Sequence, residues 1–248
     1  MGETQLEGNV SHPVSRSDEQ KTQPQHPLKP SAGHQLVFCL ALFASYALLF
    51  ILARWIVTST QLVPNHILPA FIKLSGLFTR FSIASGIVQH GASDVGDFDA
   101  RRLLMAMSLF YYLAVYVLSS VLSVVAQFGS SHLPYNNQEP RLHKYSLGGG
   151  LPHRVIATHD ALYDFFPAYT ITAVFAAVSL PPSTSLGVPT LDASPVVAVV
   201  LPALALHVAV KVGVWAPAYV LDASSIRSVS HIFANAALIL ALLALVGA

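Results

Sequence analysis

The sequence predicts an all-α integral membrane protein with five helical spans. Two observations carry this. Only 10% of the 248 residues are charged and 54% are hydrophobic, against roughly 25% charged and about 45–50% apolar in soluble domains. So few charges cannot cover a water-facing surface. The hydrophobic residues also gather into runs of about 20, the length an α-helix needs to cross a hydrocarbon core. Thirteen Lys and Arg against twelve Asp and Glu give no basic surface for nucleic acid. The single cysteine, Cys39, excludes an internal disulfide framework and a cysteine zinc site.

Residues 1–35 are rich in Gln, Pro, Ser and His without a hydrophobic period, which predicts an unpacked polar tail. No apolar core falls within the first thirty residues, so the tail does not read as a cleavable signal peptide. Segment 36–102 begins with a span over 36–57, where Arg54–Trp55 form an interfacial anchor. Residues 66–88 are apolar, but Lys73 and Arg80 lie two turns apart and Pro64 and Pro69 break the start. An amphipathic helix lying in the interface fits this better than a span. A loop rich in Gly and Asp follows over 90–99.

Four further spans follow, at 103–125, 161–180, 195–220 and 229–247. Ser108, Ser119, Ser120 and Ser123 are small polar residues suited to helix contacts in a bilayer. Short connections at 181–194 and 221–228 predict antiparallel neighbours. Arg141, Lys144 and Arg154 in 126–160, with Arg227 in 221–228, assign those connections to the cytoplasmic side. Arg101–Arg102 then fall on the opposite side, against the same rule.

Ionisable groups inside a bilayer are costly and so are functional candidates. Asp160 and Asp164 fall in the first turns around the 161–180 span, where they complement the helix dipole or, for Asp164, serve a site. His207 and Lys211 lie four apart on one helix face. They read either as an inward-facing pair for an anion or as a hydrogen-bonding strut between helices. Arg227 reads as a topology signal or as a functional cation. The eleven histidines show no HxH or HxxxH pair, so no metal site is expected. No phosphate-binding or nucleophile-elbow motif occurs, and Gly148–Gly150 reads as a hinge before Pro152.

Two segments carry a resemblance. Arg154-Val-Ile-Ala-Thr-His159-Asp-Ala-Leu-Tyr-Asp164-Phe-Phe-Pro167 resembles the second-span signature of the membrane-associated proteins in eicosanoid and glutathione metabolism (MAPEG). That signature runs Arg, a few residues, Ala-His, one residue, Asn, two residues, Glu and then Pro three further on. Tyr219-Val-Leu-Asp222-Ala-Ser-Ser-Ile226-Arg227-Ser228-Val-Ser-His231 looks like the family's turn between third and fourth spans. Tyr135-Asn-Asn-Gln-Glu-Pro-Arg141 is similar to a stretch of fungal-type members. The resemblance covers about residues 103–247.

It implies a four-helix membrane bundle over residues 103–248, commonly a homotrimer, in the endoplasmic reticulum membrane, with the 36–57 span as one additional N-terminal transmembrane helix. Glutathione would bind as co-substrate between subunits in the cytoplasmic half, and a lipophilic small molecule would come from the lipid. By the same resemblance Arg227 is the catalytic thiol activator. Arg154, His159, Asp164, Lys211, Tyr219 and Ser228 would bind glutathione, Asp164 through its amino group. The chemistry is coherent, because a nearby cation lowers a thiol's pKa and yields more nucleophilic thiolate. Arg also stays charged and forks onto carboxylates.

The chain departs from the pattern at several positions. Ala161 stands for the motif's Asn, Asp164 for Glu, Ala157 for an Arg and His231 for an aromatic residue. Val212 occupies the position seven before Tyr219 where the family carries a cation, with Lys211 one place off. The leading expectation is a glutathione-dependent transferase or isomerase acting on a lipophilic small molecule. One alternative is a non-catalytic MAPEG-like scaffold or partner of membrane enzymes. The other is a glutathione-independent enzyme in which His159, Asp164 and Lys211 transfer protons.

Overall fold

The computed structural model describes residues 32–85, 100–130, 150–180 and 196–247. The loop at 90–99, the motif at 135–141 and the connection 181–194 lie outside the described residues, as does the tail before residue 32. Among the described residues there is helix and no strand. The chain divides into residues 1–39, whose described part is the first turns of helix α1, and residues 40–248, which hold the bundle.

The helices are α1 (Ala32–Ser59), α2 (Leu68–Ala84), α3 (Ala100–Phe128), α4 (Leu151–Ser179), α5 (Val196–Val220) and α6 (Ser224–Val246). Five of them, all but α2, are long and apolar enough to cross a membrane. These correspond to the five expected spans. The bounds differ most at α4, which starts at Leu151 rather than 161. Hydropathy falls away before Ala161, but Pro152 sits in the first turn, where its missing N–H costs nothing. Gly150 enters the helix at φ 115°, a backbone conformation that favours glycine. At 1.5 Å per residue α4 is about 43 Å long, well beyond a hydrocarbon core of about 30 Å.

Helix α2 follows a wide turn at Val63–Ile67, in which the Leu68 N–H reaches back five residues to the Val63 carbonyl. It buries Phe71 edge-on against Phe110 of α3, with ring centroids 5.8 Å apart. Its exposed residues include Lys73, Leu77, Arg80 and Phe81, so cationic and apolar side chains share its surface.

Hydrogen bonds between helix ends show the antiparallel order. Arg101 Nη2 at the start of α3 donates to the Leu180 carbonyl just past α4 at 2.6 Å. Arg154 Nε at the start of α4 donates to the Val220 carbonyl at the end of α5 at 3.0 Å. The core sits around α5, of whose most apolar stretch 61% is buried, against 6% for α1. Ala203, Ala205, Ala234, Ala236, Ala237 and Ala241 are fully buried; small residues of this kind let membrane helices approach closely. Large apolar side chains such as Ile171, Val174, Phe175 and Val178 of α4 are exposed, as lipid-facing residues would be.

Candidate functional site

The polar side chains singled out in the sequence concentrate where α4 begins, α5 ends and α6 begins. Residues 221–223 turn the chain, with the Ala223 N–H bonded to the Ala218 carbonyl at 2.9 Å and Asp222 at φ 61°. This tight turn puts Arg227 one turn into α6, level with the last residues of α5. Its guanidinium lies over the Tyr219 ring, with Cζ 4.7 Å from the centroid. Both residues are half-buried. Arg154 is next to them through its bond to the Val220 carbonyl, and its Nη1 stands 3.6 Å from Asp222 Oδ2. Arg227 has no carboxylate partner among the described residues.

Along α6, Arg227, His231 and Asn235 recur every four residues and so share one face. His231 Nδ1 is 3.0 Å from Lys211 Nζ of α5, and its Nε2 is 3.1 Å from the Asn235 amide. Lys211 is fully buried, with its ammonium 4.0 Å from the Phe165 ring centroid and 4.6 Å from that of Trp215. These rings supply cation–π attraction in place of a carboxylate. An ammonium can only donate, so Nδ1 accepts and Nε2 carries the proton. The Asn235 amide then presents its oxygen to Nε2, since its O and NH2 ends have the same shape and only the oxygen can accept. The amide oxygen then accepts from Nε2–H, and the NH2 group takes the buried position that has no partner among the described residues.

The backbone explains why Lys211 and Trp215 face inward together. Residues Lys211–Trp215 form a wide turn in which the Ala216 N–H bonds the Lys211 carbonyl, five residues back instead of four. Such π-type turns inside α-helices recur at functional sites. Within this chain the polar partner of Lys211 is a side chain of the next helix, His231, the arrangement that the strut reading expects. His207 contacts a backbone carbonyl of the same neighbouring helix. Its Nδ1–H donates to the Ala234 carbonyl at 2.8 Å, and its ring stacks on Tyr169 with centroids 5.8 Å apart at 16°.

The remaining expected residues point elsewhere. His159 Nδ1 is 2.9 Å from Ser119 Oγ of α3, and that hydroxyl donates to the Val115 carbonyl. Asp164 and Ser228 are exposed. At 100° per residue, Arg154 and Phe165 share one face of α4, while His159 and Asp164 fall on two others. The structure therefore brings Arg154, Tyr219 and Arg227 together with Lys211 deeper in the same seam. It does not bring His159, Asp164 or Ser228 to them within one chain. Sequence reasoning passed over His231 as a ligand, along with Phe165, Trp215 and Asn235. The four-residue spacing of Arg227, His231 and Asn235 was the available signal.

A groove of about 530 Å³ lies on another side of α6, walled by α1, α5 and α6 through residues such as Leu49, Ile56, Val210, Val214, Ile226 and Phe233. Arg227, Tyr219, Lys211 and Asp164 do not line it. Among the described residues no three His, Cys, Asp or Glu side chains group as a metal site. No family model, no curated protein and no solved structure matches the chain.

Proposed function

We propose that the protein is a MAPEG-like membrane enzyme, a glutathione-dependent transferase or isomerase acting on a lipophilic small molecule in the endoplasmic reticulum membrane. The observation that carries this reading is the half-buried guanidinium of Arg227, fixed on the Tyr219 ring and lacking a carboxylate partner among the described residues. A cation so placed favours the thiolate over the thiol of a bound glutathione and raises the concentration of nucleophile. Arg154, joined to Val220 and Asp222, fixes the helix ends around that guanidinium rather than contacting the peptide freely.

The wide turn at Lys211 supports the motif assignment. It takes up one more residue than a regular α-turn, so Lys211, eight residues before Tyr219, falls in the register of a residue seven before it. That is where the resemblance expects a cation. The outward Asp164 belongs, on this reading, to a site completed by a neighbouring copy in a homotrimer, with its carboxylate on the amino group of glutathione.

The test is glutathione binding and turnover of an electrophilic co-substrate by the detergent-solubilised full chain. Wild type should bind saturably, and Arg227→Ala should lose turnover while keeping expression and oligomer size. A non-catalytic scaffold is the second reading, favoured because Lys211 and Arg154 are already engaged inside the chain. It predicts no glutathione binding by wild type. The glutathione-independent proton-transfer reading has less support, since His159, Asp164 and Lys211 face different surroundings.

A further inference from the structure

We propose that Tyr112, Tyr116 and Tyr163 form a lipid-facing hydrogen-atom donor that quenches peroxyl radicals carried on oxidised acyl chains of the bilayer. Helices α3 and α4 are each 29 residues long and apolar enough to cross a membrane. All three tyrosines stand two residues from the midpoint of their helix, about 3 Å at 1.5 Å per residue. Their depth is therefore the hydrocarbon centre, whereas tyrosines of membrane helices gather at the two interfaces. Tyr112 is 47% exposed and Tyr163 50%, and Tyr116 is half-buried. The three rings make one patch. Tyr116 stacks on Tyr112 with centroids 4.8 Å apart at 25°, and it meets Tyr163 edge-on at 5.4 Å. Phe166 backs the patch, 5.2 Å from Tyr116 and 6.1 Å from Tyr112. None of the three hydroxyls has a hydrogen-bond partner among the described residues, unlike buried Tyr169, whose Oη stands 3.2 Å from Ser108 Oγ.

The surroundings select the reaction. Ionising a phenol at this depth would leave an unpaired charge in hydrocarbon, which is costly. Transfer of a neutral hydrogen atom creates no charge and needs no water, which the bilayer core does not supply. An O–H without an acceptor gives up its hydrogen atom most readily, since no hydrogen bond holds it. Among acyl chains the acceptor of that class is the lipid peroxyl radical. The phenolic O–H bond breaks homolytically, and its hydrogen atom forms the O–H bond of a lipid hydroperoxide. The peroxyl is reduced by one electron and the tyrosine, now a phenoxyl, is oxidised by one. A second peroxyl oxidises the stacked neighbour in the same way. The two phenoxyls then join through one carbon–carbon bond between the rings, and the ring hydrogens at that bond move to the two oxygens. The pair stops two radical chains and ends as dityrosine.

The experiment follows oxygen uptake after a lipophilic azo initiator is added to polyunsaturated phosphatidylcholine vesicles holding the full chain. Wild type should impose a lag that lengthens with the ratio of protein to lipid, and dityrosine should form in the peptide carrying Tyr112 and Tyr116. The triple variant Tyr112→Phe, Tyr116→Phe, Tyr163→Phe keeps the rings and should lose the lag. Tyr111→Phe, which removes a fully buried hydroxyl, should keep it. No lag in wild type, the same lag in the triple variant, or its loss in Tyr111→Phe would each overturn the proposal. A second copy covering this face gives the first of these results. Should the triple variant fail to fold, the oxidation sites mapped in wild type decide. Modification of Tyr112, Tyr116 and Tyr163 ahead of Tyr111 and Tyr169 supports the proposal, and the reverse order overturns it. Glutathione is absent throughout, so the outcome is separate from that of the catalytic reading.

Discussion

Lys211 and His231 join α5 to α6 through a 3.0 Å contact between Nζ and Nδ1, with the ammonium fully buried and enclosed by Phe165 and Trp215. Removing one partner strands the other. Lys211→Met leaves a half-buried imidazole acceptor unmet, at about 1–3 kcal/mol or less. His231→Phe leaves a buried charge without its acceptor, at roughly 3–5 kcal/mol. The double variant removes both polar groups and should melt close to wild type. Thermal melts of the four proteins in one detergent measure the coupling, and additive losses would contradict the pairing.

Two buried tyrosines offer a contrast. Tyr169 Oη is 3.2 Å from Ser108 Oγ, while Tyr111 Oη is buried without a partner. Tyr169→Phe should cost about 0.5–1.5 kcal/mol. Tyr111→Phe should be neutral or stabilising, because it removes a desolvated hydroxyl and keeps the ring against Phe166, Tyr169 and His207. Their melting temperatures should move in different directions or by clearly different amounts.

The turn at Asp222 gives a backbone test. Asp222 adopts φ 61°, and its contact with Arg154 at 3.6 Å is largely solvent-exposed, where an ion pair contributes little. Asp222→Gly should therefore match wild type or exceed it slightly. Asp222→Val should cost about 1–2 kcal/mol through left-handed strain. Equal melting of the two variants would show that the ion pair, rather than the backbone, fixes this turn.

Asp164 separates the chain from its assembly. Exposed on α4, it should tolerate Asn with less than about 0.5 kcal/mol of change in stability. Glutathione binding should nevertheless weaken about tenfold if its carboxylate meets an ammonium from the neighbouring site. Parallel melts and binding isotherms of Asp164→Asn distinguish these, and unchanged binding would remove Asp164 from the site.

The spans were legible in the sequence because lipid imposes one rule, about 20 apolar residues per crossing, and 195–220 was read to within a residue of α5. The start of α4 was not, since hydropathy registers the bilayer edge rather than the helix end. His153, Arg154 and Asp160 continue the helix beyond the apolar run. The site was legible in its residue types at Arg227, Tyr219 and Lys211. Its pairings were hidden in rotation about the helix axes. One extra residue in the turn at Lys211–Trp215 sets which side chains meet His231, and one position along α4 separates inward Phe165 from outward Asp164. Hydropathy and residue spacing contain neither quantity.

The most direct measurement is equilibrium binding of radiolabelled glutathione to the purified full chain, with Arg227→Ala and Arg227→Lys alongside. Saturable binding by wild type is expected, weakened at least about tenfold by Arg227→Ala and only partly restored by Lys, which lacks the planar fork. Absence of saturable binding by wild type, or equal affinity in Arg227→Ala, would contradict the proposed role of the Arg227–Tyr219 stack.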